Sequence, residues 1–174
     1  MSLISEAKKG NEEAFRELME EYKLYMYKTA KTILRNEEDV YDALQDALIS
    51  IYKNIPTLKE EKYIKTWIIK ITMNKCYDII TKNNMTMQKV VKFSSTVEET
   101  EESIYDKMID QTELERTLKM LDEDLRLVTV LYYYNDFSVK AISELMNIPE
   151  GTVKSKLSRA REKLYQLLST EGVN

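Results

Sequence analysis

The chain has no histidine and one cysteine, Cys76. The usual zinc ligand sets therefore cannot be assembled, and an intramolecular disulfide is excluded. General acid–base catalysis loses the residue it most often recruits, and no Gly-rich phosphate loop, Gly-x-Ser-x-Gly elbow or paired catalytic carboxylate motif takes its place. The expectation is a protein that is not an enzyme and uses no cofactor, metal or small-molecule substrate. With only 3 glycines and 2 prolines against 32% charged residues, helix formers dominate and an all-α architecture is favoured. No apolar run approaches the roughly 20 residues of a membrane-spanning helix. The opening Met1-Ser2-Leu3-Ile4 lacks the basic, apolar and small-residue order of a signal peptide, so a cytoplasmic location is expected. The net charge of -4 argues against indiscriminate coating of nucleic acid, while specific contact through local basic patches stays open.

What is present is helical periodicity. Gly10-Asn11 separates a short opening helix from a longer one, with Asn11 as cap and Glu12 and Glu13 in its first turn, where acids complement the helix dipole. Phe15, Leu18, Met19, Tyr22, Met26, Thr29, Ala30 and Ile33 form its inner stripe. Asn36 caps a third helix with inner residues Val40, Ala43, Leu44, Ala47, Leu48, Ile51 and Ile55, closed by Pro56. Its opposite side carries Asp42, Gln45, Asp46 and Ile49, either a solvated face or a docking surface for another protein. Thr57 to Lys62 reads as a loop. The helix from about Tyr63 to Lys82 has two apolar stripes, one of Ile64, Trp67, Ile68 and Ile71 and one of Ile69, Met73, Cys76 and Ile80. It should be the most buried element of the first domain. Lys70, Asn74 and Asp78 leave a narrow polar strip that, beside a Lys-bearing loop, suits single-stranded nucleic acid.

From Asn83 to about Gln111 the periodicity lapses into Asn83-Asn84, Ser94-Ser95-Thr96 and the acids Glu98, Glu99, Glu101 and Glu102. This predicts two small helical domains, 1–83 and 112–174, joined by a flexible acidic linker, 84–111. The linker is either a solubilising spacer or a nucleic-acid mimic for a basic channel in a partner. Leu114, Leu118 and Leu121 resume the helical period. Asp122 or Asp124 can cap a further helix carrying Leu125, Val128, Leu131 and Tyr132, and Asn135-Asp136 makes the next turn.

Ser138 caps a helix bearing Val139, Ile142, Leu145 and Met146, which ends at Asn147. Pro149 suits the first turn of another, because its locked φ is helical and its missing N–H falls where no partner exists. Val153, Leu157, Ala160, Leu164 and Leu167 form the inner stripe of this last helix. Thr152, Lys154, Ser155, Lys156, Ser158, Arg159 and Arg161 are expected on its outer face, cations for phosphates among hydroxyls short enough to approach bases. Between Ser138 and Leu168 six cations (Lys140, Lys154, Lys156, Arg159, Arg161 and Lys163) meet only Glu144, Glu150 and Glu162. The pattern is a helix-turn-helix with an exposed reading helix, making the second domain a four-helix unit whose C-terminal residues 169–174 should fray.

Several separate stretches resemble the bacterial sigma factors of the extracytoplasmic-function (ECF) group of the sigma-70 family. Asp42-Ala43-Leu44-Gln45-Asp46-Ala47 is similar to the Asp-x-x-Gln-Glu/Asp pattern of their first domain. Lys65-Thr66-Trp67-Ile68 through Ile71-Thr72-Met73-Asn74 is similar to their Thr-Trp-Leu-x-x-Ile-x-x-Asn run. The stretch from Pro149 to Arg161 is similar to their Pro-x-Gly-Thr-Val-x-Ser-Arg-x-x-Arg-Ala-Arg recognition helix, and is the most specific of the three. Thr81-Lys82-Asn83 departs from the family's arginine pair, and Ser158 stands where a larger residue is common.

The resemblance implies a promoter-specificity subunit of RNA polymerase, acting in transcription initiation and in response to stress. Asp42, Gln45, Asp46 and Ile49 would bind core polymerase. Lys59, Lys62, Tyr63, Lys70 and Asn74 would serve the minus-ten element, with Asn74 at a position that touches an extruded base. Lys154, Ser155, Ser158 and Arg159 would read the minus-thirty-five element, with Thr152 beside them and Lys156 and Arg161 on phosphates. The implied partners are core polymerase, promoter DNA and a membrane-anchored anti-sigma factor. The rival readings are a helix-turn-helix activator with an N-terminal sensing domain and a helical adaptor that never touches DNA.

Overall fold

The computed structural model describes residues 2–90 and 113–171. The chain divides into two compact units, Met1–Glu101 and Glu102–Asn174, and the described residues of both are helical with no strand. The two-domain, all-α expectation holds, with four helices and a helix-turn-helix in the second unit. Of the stretch expected to act as linker, 84–111, residues 84–90 are helical instead, and the acidic part lies outside the described residues.

In the first unit, α1 (Leu3–Lys8) packs on α2 (Glu12–Ile33), and α4 (Ile64–Val90) packs against both α2 and α3 (Glu37–Asn54). The caps act as expected: the Asn11 side chain accepts from the Ala14 amide and that of Asn36 from the Asp39 amide. Leu18, Met26, Ala30, Val40, Ala43, Ala47, Ile51, Ile68, Ile69 and Met73 are buried between the helices. Tyr27 donates to Glu37 at 3.1 Å, and Lys31 pairs with the same carboxylate, so the end of α2 holds the start of α3. Burial, and then the Glu37 charge, push the Tyr27 hydroxyl up to about 12. Cys76 is buried, which raises its thiol to about 12 and leaves it a small apolar packing group. Trp67 is half-buried.

Two expectations for this unit are corrected. Leu48 was placed in the inner stripe of α3 but is 38% exposed, because it sits at the stripe's edge and the packing of α2 and α4 does not reach it. α4 does not stop at Lys82 and runs through Asn83 to Val90. The Asn83 amide donates to Asp39 at 3.1 Å, tying the extension to the start of α3, while Met85 and Met87 stay exposed. Helical hydrogen bonding and propensity carry this end of the helix with little burial, and for that reason apolar periodicity does not reveal it.

The second unit comprises α5 (Glu113–Lys119), α6 (Glu123–Thr129), α7 (Val139–Met146) and α8 (Glu150–Glu171). Leu121, Leu125 and Ala160 form a buried cluster with Leu118 and Leu164 against it. Leu114, expected to join them, is 54% exposed, one turn too early on a short helix to reach α8. α6 widens into a π-helical turn, Val130–Tyr134, in which the Asn135 amide donates to the Val130 carbonyl at 2.9 Å. Nothing in the periodicity announces this turn. Asp136 then takes a left-handed φ of 57° to redirect the chain towards Ser138. α8 continues to Glu171, so residues 169–171 are helical rather than frayed.

Candidate nucleic-acid interface

The outward helix is built from the turn that precedes it. The Ser138 hydroxyl accepts from the Ala141 amide at 3.1 Å to start α7. Asn147 ends α7 in the left-handed region at φ 54° and ψ 47°, which Asn tolerates better than most L-residues. Ser143 braces the turn from both sides. Its carbonyl accepts from the Ile148 amide at 3.1 Å, and its hydroxyl donates to the Ile148 carbonyl at 2.6 Å. Pro149 stands immediately before α8, its carbonyl accepting from the Thr152 and Val153 amides at 2.9 and 3.1 Å.

The buried stripe of α8 is the expected one, with Val153, Leu157 and Ala160 buried and Leu164 and Leu167 half-buried. It turns Lys154, Ser155, Ser158, Arg159 and Arg161 outward, all exposed. Among the described residues neither Lys154 nor Arg159 is held in an ion pair. Thr152 and Lys156 differ from expectation in being half-buried. The Lys156 side chain is 18% exposed, and its Nζ lies 2.8 Å from Asp124 Oδ2. The physical reason is position: Lys156 follows Val153 by three residues, at the edge of the stripe, where the first turn of α6 packs. One step along the same flank, Lys163 Nζ lies 3.1 Å from Asp122 Oδ2. Asp122 is the N-cap of α6, yet its side chain makes no capping hydrogen bond and pairs across to α8. On the other flank Arg161 Nη1 donates to the Tyr133 hydroxyl at 3.2 Å, which raises the guanidinium's pKa further.

The first unit presents two further surfaces. On α3, Asp42, Gln45, Asp46 and Ile49 are exposed together, as read from the sequence. Tyr41, Leu48 and Tyr52 add an exposed apolar stripe alongside, and Tyr52 meets the Phe15 ring edge-on at 5.0 Å. Their spacing of seven and then four residues is a helical stripe offset from the buried one, and that was the available signal.

The Thr57–Lys62 segment is less of a free loop than expected. A 3-10 turn occupies Ile55–Thr57, another occupies Glu61–Tyr63, and Leu58 between them is buried. α1 fastens it from outside: Lys8 Nζ donates to the Leu58 carbonyl and Ser2 Oγ to Glu61, both at 2.6 Å. Lys59, Lys62, Tyr63, Lys70 and Asn74 are all exposed. Lys62 pairs with Glu60 at 2.8 Å and lies over the Tyr63 ring, 4.8 Å from its centroid. The hydrogen bonds to Glu60 and Tyr63 raise the Lys62 pKa. Lys70, Asn74 and Tyr77 succeed one another at four and three residues along α4, so exposed Tyr77 extends the strip, an aromatic residue that the sequence reading passed over.

Comparison with known proteins agrees with this geometry. Residues 18–86 match the Sigma-70 region 2 family and residues 111–164 the Sigma-70, region 4 family. The ECF RNA polymerase sigma factor SigW of Bacillus subtilis (strain 168) is 29% identical, over 95% of this chain and 94% of its own length. The ECF RNA polymerase sigma-E factor of Escherichia coli (strain K12) is also 29% identical, over 92% of this chain and 89% of its own. Among solved structures, the sigma factor RpoE in complex with the anti-sigma factor NepR from Bartonella quintana has a TM-score of 0.68 at 22% identity, covering 88% of this chain and 98% of that one. CnrH in complex with the cytosolic domain of CnrY has a TM-score of 0.66 at 21% identity, covering 97% and 96%. These two share the fold. A two-unit helical protein ending in a helix-turn-helix and matching both regions is a transcription initiation factor. The chain belongs to the sigma-70 family, within its ECF group.

Proposed function

We propose that this sigma subunit binds core RNA polymerase through α3, engages the minus-ten element with the start of α4 and reads the minus-thirty-five element with α8, directing transcription at a dedicated promoter set. The observation that carries this reading is the outward face of α8, where Lys154, Ser155, Ser158 and Arg159 are exposed just beyond a braced turn. Lys154 and Arg159 suit guanine edges, and the two serines let the helix backbone come close to the groove floor. Arg161 and Lys156, on the two flanks, suit phosphates, and Lys156 reaches one by exchanging Asp124 for it. Half-buried Thr152, at the start of α8, supports the approach of the helix end.

In the first unit, Asp42, Gln45, Asp46 and Ile49 form the core-polymerase face. Lys59, Lys62, Tyr63, Lys70 and Asn74 line the path of a melted strand, with Asn74 offered to an unstacked base; holding that base offsets part of the few kcal/mol its extrusion costs. The protein acts without chemistry of its own, in the cytoplasm where core polymerase is. No described helix is long and apolar enough to cross a membrane. Two similar structures hold CnrY and NepR, the latter an anti-sigma factor, which supports control of this chain by an anti-sigma factor. Its anchoring in the membrane and its release of this chain under stress are part of the same proposal.

The test is transcription of a genomic fragment library by core polymerase with and without the full chain. Discrete start sites that need both components are expected. Promoter binding by the chain alone, unchanged on adding core enzyme, favours a self-sufficient activator instead.

A further inference from the structure

Single π-helical turns such as the one at Val130–Tyr134 recur at functional positions. Here it places Tyr133, 56% exposed, beside α8. Tyr132 supports the ring edge-on, with centroids 4.9 Å apart and planes at 82°. The Tyr133 hydroxyl accepts from Arg161 Nη1 at 3.2 Å. A phenol has one proton to give and lone pairs to receive with, so a hydroxyl already accepting from a guanidinium keeps its proton to donate. The positive charge next to it polarises the O–H and makes it a better donor.

Position along α8 fixes what that donor faces. Arg161 follows Lys154 by seven residues and Ser158 by three, so the three share one side of the exposed helix. A helix lying in the major groove with Lys154 and Ser158 towards base edges brings Arg161 to the groove's rim, where phosphates run. We propose that Tyr133 is a DNA-backbone contact, its hydroxyl donating to the same phosphate oxygens that Arg161 neutralises. The two side chains form a mixed phenol–guanidinium clamp on one phosphate, reached from two different helical segments. The contact carries no sequence information and should act equally on all promoters. It rests on the assignment of Arg161 to phosphate.

The experiment measures binding of the full chain, assembled with core polymerase, to a promoter duplex recovered from the genomic library, over a range of salt concentrations. Tyr133→Phe keeps the ring and removes only the hydroxyl. It should leave the thermal midpoint unchanged and weaken binding by about tenfold to a hundredfold, the scale of one hydrogen bond to a charged group. The factor should be the same on promoter duplexes of different minus-thirty-five sequence. Arg161→Ala should weaken binding and lower the salt slope by about one, and adding Tyr133→Phe to it should cost less than Tyr133→Phe alone. Should removal of Arg161 unfold the unit, Arg161→Gln, which keeps a polar side chain without the charge, supplies the same comparison. Wild-type binding by Tyr133→Phe beside a weakened Arg161→Ala overturns the clamp alone. Wild-type binding and slope in both overturn the phosphate role of Arg161, and the clamp with it.

Discussion

α3 and α8 each bury one stripe and leave the opposite side to solvent, but the exposed sides differ in kind. α3 shows Asp42 and Asp46 with Ile49, Tyr41, Leu48 and Tyr52, acids beside a continuous apolar surface. α8 shows Lys154 and Arg159 among serines, with no apolar side chain exposed between them. An apolar strip edged by charge is worth desolvating against another protein, whereas a ridge of cations and hydroxyls gains most against a hydrated polyanion. The difference fits the two duties proposed for these helices, polymerase docking and promoter reading, and a single net charge of -4 conceals it. Support differs too. Beyond its buried stripe, α3 is tied by polar side chains at its start, through Glu37 and Asp39, while α8 is also gripped along both flanks, by Asp124 and Asp122 on one and Tyr133 on the other.

The comparison breaks most readily at Asp46. Asp46→Lys, on an exposed position, should fold with an unchanged melting midpoint yet lose about 2–5 kcal/mol of association with core polymerase in a pull-down titration, the scale of a charge removed from an interface. Undiminished capture would show that the acids on α3 are merely solvated. Arg159→Ala should cost roughly 1–3 kcal/mol of promoter binding and relax preference at one base position. Equal loss on every sequence would move Arg159 from base reading to backbone contact.

A smaller effect is expected at the turn, which has no counterpart in α3. Asn147→Ala should lose about 1–2 kcal/mol of stability because alanine resists the left-handed region, whereas Asn147→Gly should lose little. Calorimetry of the full chain separates the two. The slightest change is expected from Asp124→Asn, which releases Lys156 from an exposed carboxylate. Stability should shift by less than about 1 kcal/mol, while the salt slope of DNA binding rises by up to about one as Lys156 becomes available to phosphate. A fall in affinity would mean that the pair positions α8 instead of competing with DNA.

The helices of both units were legible because capping residues and inner stripes agree. Asn11, Asn36 and Ser138 each cap the helix assigned to them, and Val153, Leu157 and Ala160 orient α8 as periodicity required. What escaped was decided at stripe edges and across elements. Leu48 and Lys156 lie where a small rotation separates core from solvent, and which way each falls depends on how far a neighbouring helix reaches. The π turn arises from how α6 passes its chain to the α7 corner, and Tyr133 meets Arg161 across 28 residues of sequence. Local pattern carries no trace of such pairings. The extension of α4 was hidden for the opposite reason, since it buries too little to leave a pattern.

Asp136 and Asn147 bracket α7, and both adopt left-handed backbone without being glycine. Each corner is thereby stiffer than a glycine hinge, and the eight-residue helix between them works as a short strut with fixed elbows. The bearing of α8 is thus determined by the scaffold before any DNA arrives. On the proposed reading, side chains along its outer ridge can be exchanged, and the promoter vocabulary rewritten, while the angle at which the helix is offered stays the same.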